Sequence, residues 1–417
     1  MTFPALLAAL VVSPIQGSQV PFGDPQGVTE PSRLALTPVL DGEIKRDEWD
    51  GFAKLESGEA YLQWEPGILY VAGKIPVDQD LVVSIDVKQD GWLVGKDNLQ
   101  FRLRPVEGKV VVTARQLDAT NVAGPKWVDL PGFEGSTLTA MKSDEMGVSI
   151  EAAITDPGIG MLPVKEGDRY NVRIDSLAQT SQQLEPFLPR VAKEVKMAMQ
   201  RASAMPMGLN WKVEDSGRVV TPGKTTKIRF SFNTKEEIPI KKIDIKPEGP
   251  LAEQTTSMGI PFPEFDKKGR AFVDYETGTS DQAPTGYHLL SGVLSTADGA
   301  PAIIQASFRI APLVDIDVVA GKFEEKDTEQ SIKVPFIIKS NSPNRLDGFF
   351  DVDVPKGWEI VRGNEKNFII YNSRSGVRRV LTLTIPPHTS GVFPFHFKTR
   401  IGQQSFEQTG WINIEKK

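Results

Sequence analysis

The stretch Ser84-Ile85-Asp86-Val87-Lys88-Gln89-Asp90-Gly91-Trp92-Leu93-Val94-Gly95-Lys96-Asp97-Asn98-Leu99-Gln100-Phe101-Arg102-Leu103-Arg104 decides the fold class. Leu81, Val83 and Ile85 alternate up to Asp86, and Leu99, Phe101 and Leu103 alternate after Asp97. A period of two on both sides of a loop rich in Asp and Gly predicts two half-buried strands. The loop carries one aromatic, Trp92, expected to be exposed. On the second strand, Asn98, Gln100, Arg102 and Arg104 fall on the side away from the apolar face. Amide and guanidinium groups beside an indole suit a sugar, because a pyranose stacks its apolar face on an aromatic ring while its hydroxyls need fixed donors and acceptors.

The same loop offers a second chemistry. Asp86 and Asp90 stand at positions one and five of an acidic loop, followed by Gly91, which is how an oxygen cage for calcium begins. Lys88 puts a cation at position three, and Asp97 stands where a Glu is expected at position twelve. Asp86, Asp90 and Asp97 are therefore the calcium candidates, with ordinary turn chemistry as the competing reading. No other cofactor is indicated.

Outward from this stretch the alternating pattern recurs. The 417 residues suggest about three domains, and 36 Gly with 31 Pro supply the turns of an all-β chain. The net charge of −6 is mild and interspersed, which argues against nucleic acid as a partner. There are no cysteines, so disulfides, thiolate metal sites and a Cys nucleophile are excluded. Residues 1–17 contain an apolar run, Phe3 to Val12, that reads as a signal peptide without a basic start, since no Lys or Arg precedes Arg33. Export to the periplasm, the cell surface or the medium is the expectation. No other run approaches the length of a membrane span.

A linker is expected over 18–34 and a first domain over 35–182. It opens with Val39-Leu40-Asp41-Gly42-Glu43-Ile44-Lys45-Arg46-Asp47-Glu48-Trp49. Gln63-Trp64-Glu65-Pro66-Gly67-Ile68-Leu69-Tyr70-Val71-Ala72 follows, and Val148-Ser149-Ile150-Glu151-Ala152-Ala153-Ile154 with Gly167-Asp168-Arg169-Tyr170-Asn171-Val172-Arg173-Ile174 closes it. In order and spacing these pieces resemble family 9 carbohydrate-binding modules. The resemblance implies a β-sandwich that binds a polysaccharide or oligosaccharide and travels with a glycosidase or a cell-surface protein. Trp49 is expected to pack beneath the sandwich edge, while Trp64 and Trp127 are candidates for a second platform opposite Trp92. Relatives of this sandwich that hold haem bring Met141, Met146 and Met161 into view as axial ligands, although no His precedes His288.

Residues 183–208 are expected to form a helical connector, because Leu188, Val191, Val195 and Met199 recur at spacings of three and four. Residues 209–312 and 313–417 each read as an immunoglobulin-like sandwich, with Ile228, Phe230 and Phe232 alternating in one and Ile332, Val334, Phe336 and Ile338 in the other. No nucleophile elbow, phosphate loop, dinucleotide fingerprint or zinc-protease motif occurs, and nothing in the spacing of the 54 acidic residues selects a glycosidase pair. The expectation is a non-catalytic carbohydrate-binding protein whose distal sandwiches are spacers or docking modules. Its alternative is a structural or adhesive surface protein with no sugar ligand.

Overall fold

The computed structural model describes residues 33–415 apart from positions 46, 93–94, 123, 181–192, 216–217, 252–257, 282, 297–300, 320–321, 325–330 and 372–375. The expected leader and almost all of the linker lie outside the described residues. The chain is an all-β, multidomain set of β-sandwiches.

Among the described residues the first sandwich contains twelve strands: β1 (Arg33–Leu34), β2 (Asp50–Leu55), β3 (Gly58–Glu65), β4 (Ile68–Ile75), β5 (Gln79–Asp86), β6 (Asn98–Val106), β7 (Lys109–Asp118), β8 (Lys126–Asp129), β9 (Thr137–Asp144), β10 (Gly147–Thr155), β11 (Arg169–Ala178) and β12 (Lys193–Ala198). One sheet runs β1-β12-β11-β5-β6-β7-β8 and the other β2-β3-β4-β10-β9. The alternation read in β5 and β6 sets the packing. Leu81, Val83, Ile85, Leu99, Phe101 and Leu103 are all fully buried in the space between the sheets. Removing that much apolar surface from water, at about 25 cal/mol per Å², is the main force joining the two layers.

Where a connecting helix was expected, Lys193–Ala198 is strand β12 and Gln200–Ser203 is a strand of the next sandwich, while 183–192 lies outside the described residues. The cause is one residue. Lys193, Val195 and Met197 all point inward with no solvent exposure, a period of two in which the lysine hides the apolar repeat. Its ammonium donates to the Phe52 carbonyl and lies 5.2 Å from the centroid of the Phe52 ring. The first sandwich therefore runs past position 182, because β12 pairs antiparallel with β11 and parallel with β1.

Between Gln200 and Ile310 a six-stranded sheet faces a three-stranded one, and between Val314 and Glu415 sheets of four and five strands face each other, each pair around its own core. Trp358 belongs to the last of these cores, against Phe393 and Phe395. Contacts tie the three together. Thr37 N–H donates to the Tyr287 carbonyl at 3.0 Å, and Arg309 makes two 2.7 Å bonds to Asp315.

Candidate functional site

Of the first sandwich's two outer faces, one is closed. The segment before β2 folds over the five-stranded sheet, where Ile44, Trp49, Tyr61, Tyr70 and Ala153 make a small apolar cluster. Glu151 holds it in place. This carboxylate, fully buried on β10, accepts the Gly42 backbone N–H at 2.6 Å and the Trp49 indole N–H at 3.1 Å. Burial pushes its pKa up, and those two donors oppose the shift. Trp49 is thus architectural, as expected. Sequence reasoning left Glu151 without a role, though a carboxylate within an otherwise apolar strand was its visible signal. Nearby Glu48, only 4% exposed, is pushed up to about 7 by burial, with Lys45 at 3.7 Å working against the shift.

The outer face of the seven-stranded sheet carries the predicted polar array. Asn98, Gln100, Arg102 and Arg104 do point away from the core, but the array is engaged within the sheet. Asn98, fully buried, donates its amide to the Gly91 carbonyl at 3.2 Å, and Gln100, 3% exposed, donates to Ser84 Oγ at 3.2 Å. Arg102 pairs with the fully buried carboxylate of Asp80, which Arg104 also reaches at 3.0 Å. These residues brace the sheet, and Asn98 and Gln100 are too buried to meet a sugar directly, which corrects their expected role. Trp64 is corrected too. It is fully buried in the sandwich core, and its backbone carbonyl accepts the Leu36 N–H at 3.1 Å. A ring enclosed on both sides offers no platform.

Trp92 and Trp127 are half-buried, and the hydrogen-bond registers bring them toward one end of this outer face. Asn98, level with Leu117 on β7, is bonded to Gly91, the residue before Trp92; Leu117 is paired with Trp127 on β8. Two strand spacings, about 10 Å, separate β6 from β8. Beside Trp127 on the same face, Arg115 lies 3.6 Å from Asp129.

The loop before β6 gathers the three predicted aspartates. Carboxylate oxygens of Asp86, Asp90 and Asp97 lie within 4.8 Å of one another, with Asp86 and Asp97 buried and Asp90 exposed. Asp86 accepts the Gln89 and Gly91 backbone N–H groups at 2.8 and 3.2 Å and the Asn171 amide at 3.3 Å; burial raises its pKa against the pull of those donors. Asp97 accepts the Lys88 N–H through Oδ2 at 2.9 Å. Its buried Oδ1 has no hydrogen bond, and Lys88 Nζ stands 3.9 Å away. That orphaned oxygen fits a cation held between the three carboxylates, and Lys88 weakens the fit by supplying part of the counter-charge.

The methionines raised as axial ligands are scattered in role. Met141 and Met161 pack against the core and Met146 is 92% exposed. Of the distal histidines, His288 is buried, with a ring nitrogen 3.0 Å from the Pro284 carbonyl, and burial lowers its pKa to about 4. Among the described residues no helix is long and apolar enough to cross a membrane.

No family model matches the chain, and no curated protein matches it. Several solved structures overlap it. An α2-macroglobulin mutant of Salmonella does so over 86% of this chain and 31% of that one, at 8% identity and a TM-score of 0.25. The fibronectin(III)-like modules of Clostridium thermocellum CbhA overlap 50% of this chain and 95% of theirs, at 13% identity and a TM-score of 0.16. A putative membrane anchored protein of Corynebacterium diphtheriae overlaps 86% and 91%, at 9% identity and a TM-score of 0.21. The chain thus spans about a third of the length of the Salmonella protein.

Proposed function

We propose that the chain is an exported, non-catalytic saccharide-binding protein whose first sandwich takes its ligand on the outer face of the seven-stranded sheet. The observation that carries this reading is the convergence of the half-buried Trp92 and Trp127 on one end of that face, beside the Arg115–Asp129 pair. A pyranose would stack on Trp127 or Trp92, with Arg115 and Asp129 as hydrogen-bond partners, while Asn98, Gln100 and Arg102 hold the platform rigid from below. The resemblance of the opening and closing motifs to family 9 carbohydrate-binding modules supports the same assignment.

Calcium belongs to this proposal. Asp86, Asp90 and Asp97 would hold the ion, which would supply charge neutralisation and fix the loop bearing Trp92. One observation favours the rival reading, a structural or adhesive surface protein. The predicted donors are engaged inside the sheet, leaving fewer groups for a sugar. Binding of the full chain to soluble and insoluble polysaccharides, with and without calcium, decides between them. Saturable binding weakened about tenfold by Trp127→Ala or Trp92→Ala supports the site. No binding across the panel, or binding indifferent to both substitutions, refutes it.

A further inference from the structure

The middle sandwich presents a second surface with this chemistry, built independently of the first. Its three-stranded sheet runs Asn210–Val213, Thr225–Asn233, Arg270–Gly278. Phe230, Phe232, Val273 and Tyr275 alternate into the core. The registers set the other face in two rows of three, Lys212, Ser231 and Phe272 in one and Asn210, Asn233 and Arg270 in the next. Strands about 4.8 Å apart and a two-residue repeat of about 6.8 Å make this a patch of roughly 10 by 7 Å, the scale of a sugar ring.

Phe272 is 44% exposed in a strand whose neighbours Ala271 and Val273 are buried. An isolated exposed aromatic is unremarkable by itself, but here three further features surround it. The Arg229 guanidinium lies 5.6 Å from the ring centroid and is fixed by two bonds to Asp274 at 2.7 and 2.9 Å, so the ring is braced. A depression of about 390 Å³ opens beside it, its lining including Lys212, Glu214, Asn233, Arg270, Phe272 and Ser231, whose hydroxyl donates to Glu214 at 2.8 Å, but neither Arg229 nor Asp274. Among the described residues, no hydrogen bond or ion pair engages the side chains of Asn210, Asn233 or Lys212, in contrast with the committed array on the first sandwich. Two carboxamides and an ammonium stand exposed and uncommitted next to a braced ring.

The Asn210–Val213 edge of this patch is partly filled by a side chain. The Gln200 carboxamide donates to the Trp211 carbonyl at 3.3 Å and accepts the Val213 N–H at 3.3 Å, satisfying two of the outward groups of Asn210–Val213. The groups this face offers a ligand are side chains. We infer that this face is a saccharide-binding site in its own right, taking a neutral pyranose stacked on Phe272, with Asn210, Asn233 and Lys212 bonded to its hydroxyls.

Calorimetric titration of the full chain with cellohexaose, xylohexaose and mannohexaose tests this, using the parent, Phe272→Ala, Asn233→Ala and Trp127→Ala. The expected result is a class of sites weakened about tenfold by Phe272→Ala and several-fold by Asn233→Ala but untouched by Trp127→Ala, with unchanged thermal melts. If Phe272→Ala removes all binding and Trp127→Ala none, this site stands and the first-sandwich site falls. Isotherms identical for the parent, Phe272→Ala and Asn233→Ala overturn the inference while leaving the first site intact. Absence of heat with all three sugars at millimolar concentration overturns it as well. Were Phe272→Ala to misfold, Asn233→Ala, an exposed amide truncation, carries the decision.

Discussion

Glu48 should make the first sandwich less stable as pH rises through neutrality. Its carboxyl is 4% exposed, Oε2 has no hydrogen bond, and burial moves its pKa from 4.5 to about 7. A group with a raised folded pKa contributes stability that is complete below the unfolded value, here 4.5, and is lost as pH passes the folded value, here about 7. The gap corresponds to about 3 kcal/mol at 1.36 kcal/mol per unit, an upper figure because Lys45 at 3.7 Å screens the charge and can follow it. Glu48→Gln keeps the shape and removes the ionisation. At pH 8 the variant should be more stable by about 1–3 kcal/mol, and its stability should be flat between pH 4.5 and 7 where the parent declines. Because three sandwiches need not unfold together, the readout should be local: hydrogen exchange in the Tyr61–Ile75 peptides across a urea series at pH 4.5, 6 and 8. A variant less stable than the parent at pH 8, or a parent whose protection rises from pH 4.5 to 7, would refute the argument.

Three further outcomes follow from the geometry. Trp64→Ala should destabilise the first sandwich by about 3–5 kcal/mol through cavity formation, whereas Trp127→Ala should leave its melt nearly unmoved; equal melts for the two would contradict the burial described. Millimolar calcium should raise the melting temperature of the parent but not of Asp97→Asn, and Lys88→Ala should strengthen the effect; identical calcium responses in parent and Asp97→Asn exclude the three-aspartate site. His288, with a folded pKa lowered from 6.5 to about 4, contributes stability that is present above 6.5 and lost as pH falls toward 4. His288→Phe should flatten that acid limb, and an unchanged acid profile for the middle sandwich would show that the imidazole is not buried neutral.

The all-β class, the division into sandwiches and the faces of β5 and β6 were legible from local pattern, because a period of two is a local property and burial follows it directly: Leu81, Val83, Ile85, Leu99, Phe101 and Leu103 all end in the core. The Asp86, Asp90 and Asp97 grouping was legible as well, since those carboxylates share one short loop. What the tertiary structure alone decided was engagement. Alternation says that Gln100 and Arg102 leave the core; only the register with β5 shows Ser84 and Asp80 waiting for them. Trp64 carries the same local signal whether it is a rim platform or a core ring, and the sheet packing chose the core. Lys193 reads as a solvated helix residue until β11 and Phe52 are in place to bury it. The rows around Phe272 come from three strands up to 62 residues apart (210 to 272). Partners brought together by strand pairing leave no periodic trace in any one segment, and for that reason the face was legible in the sequence while its occupants were not.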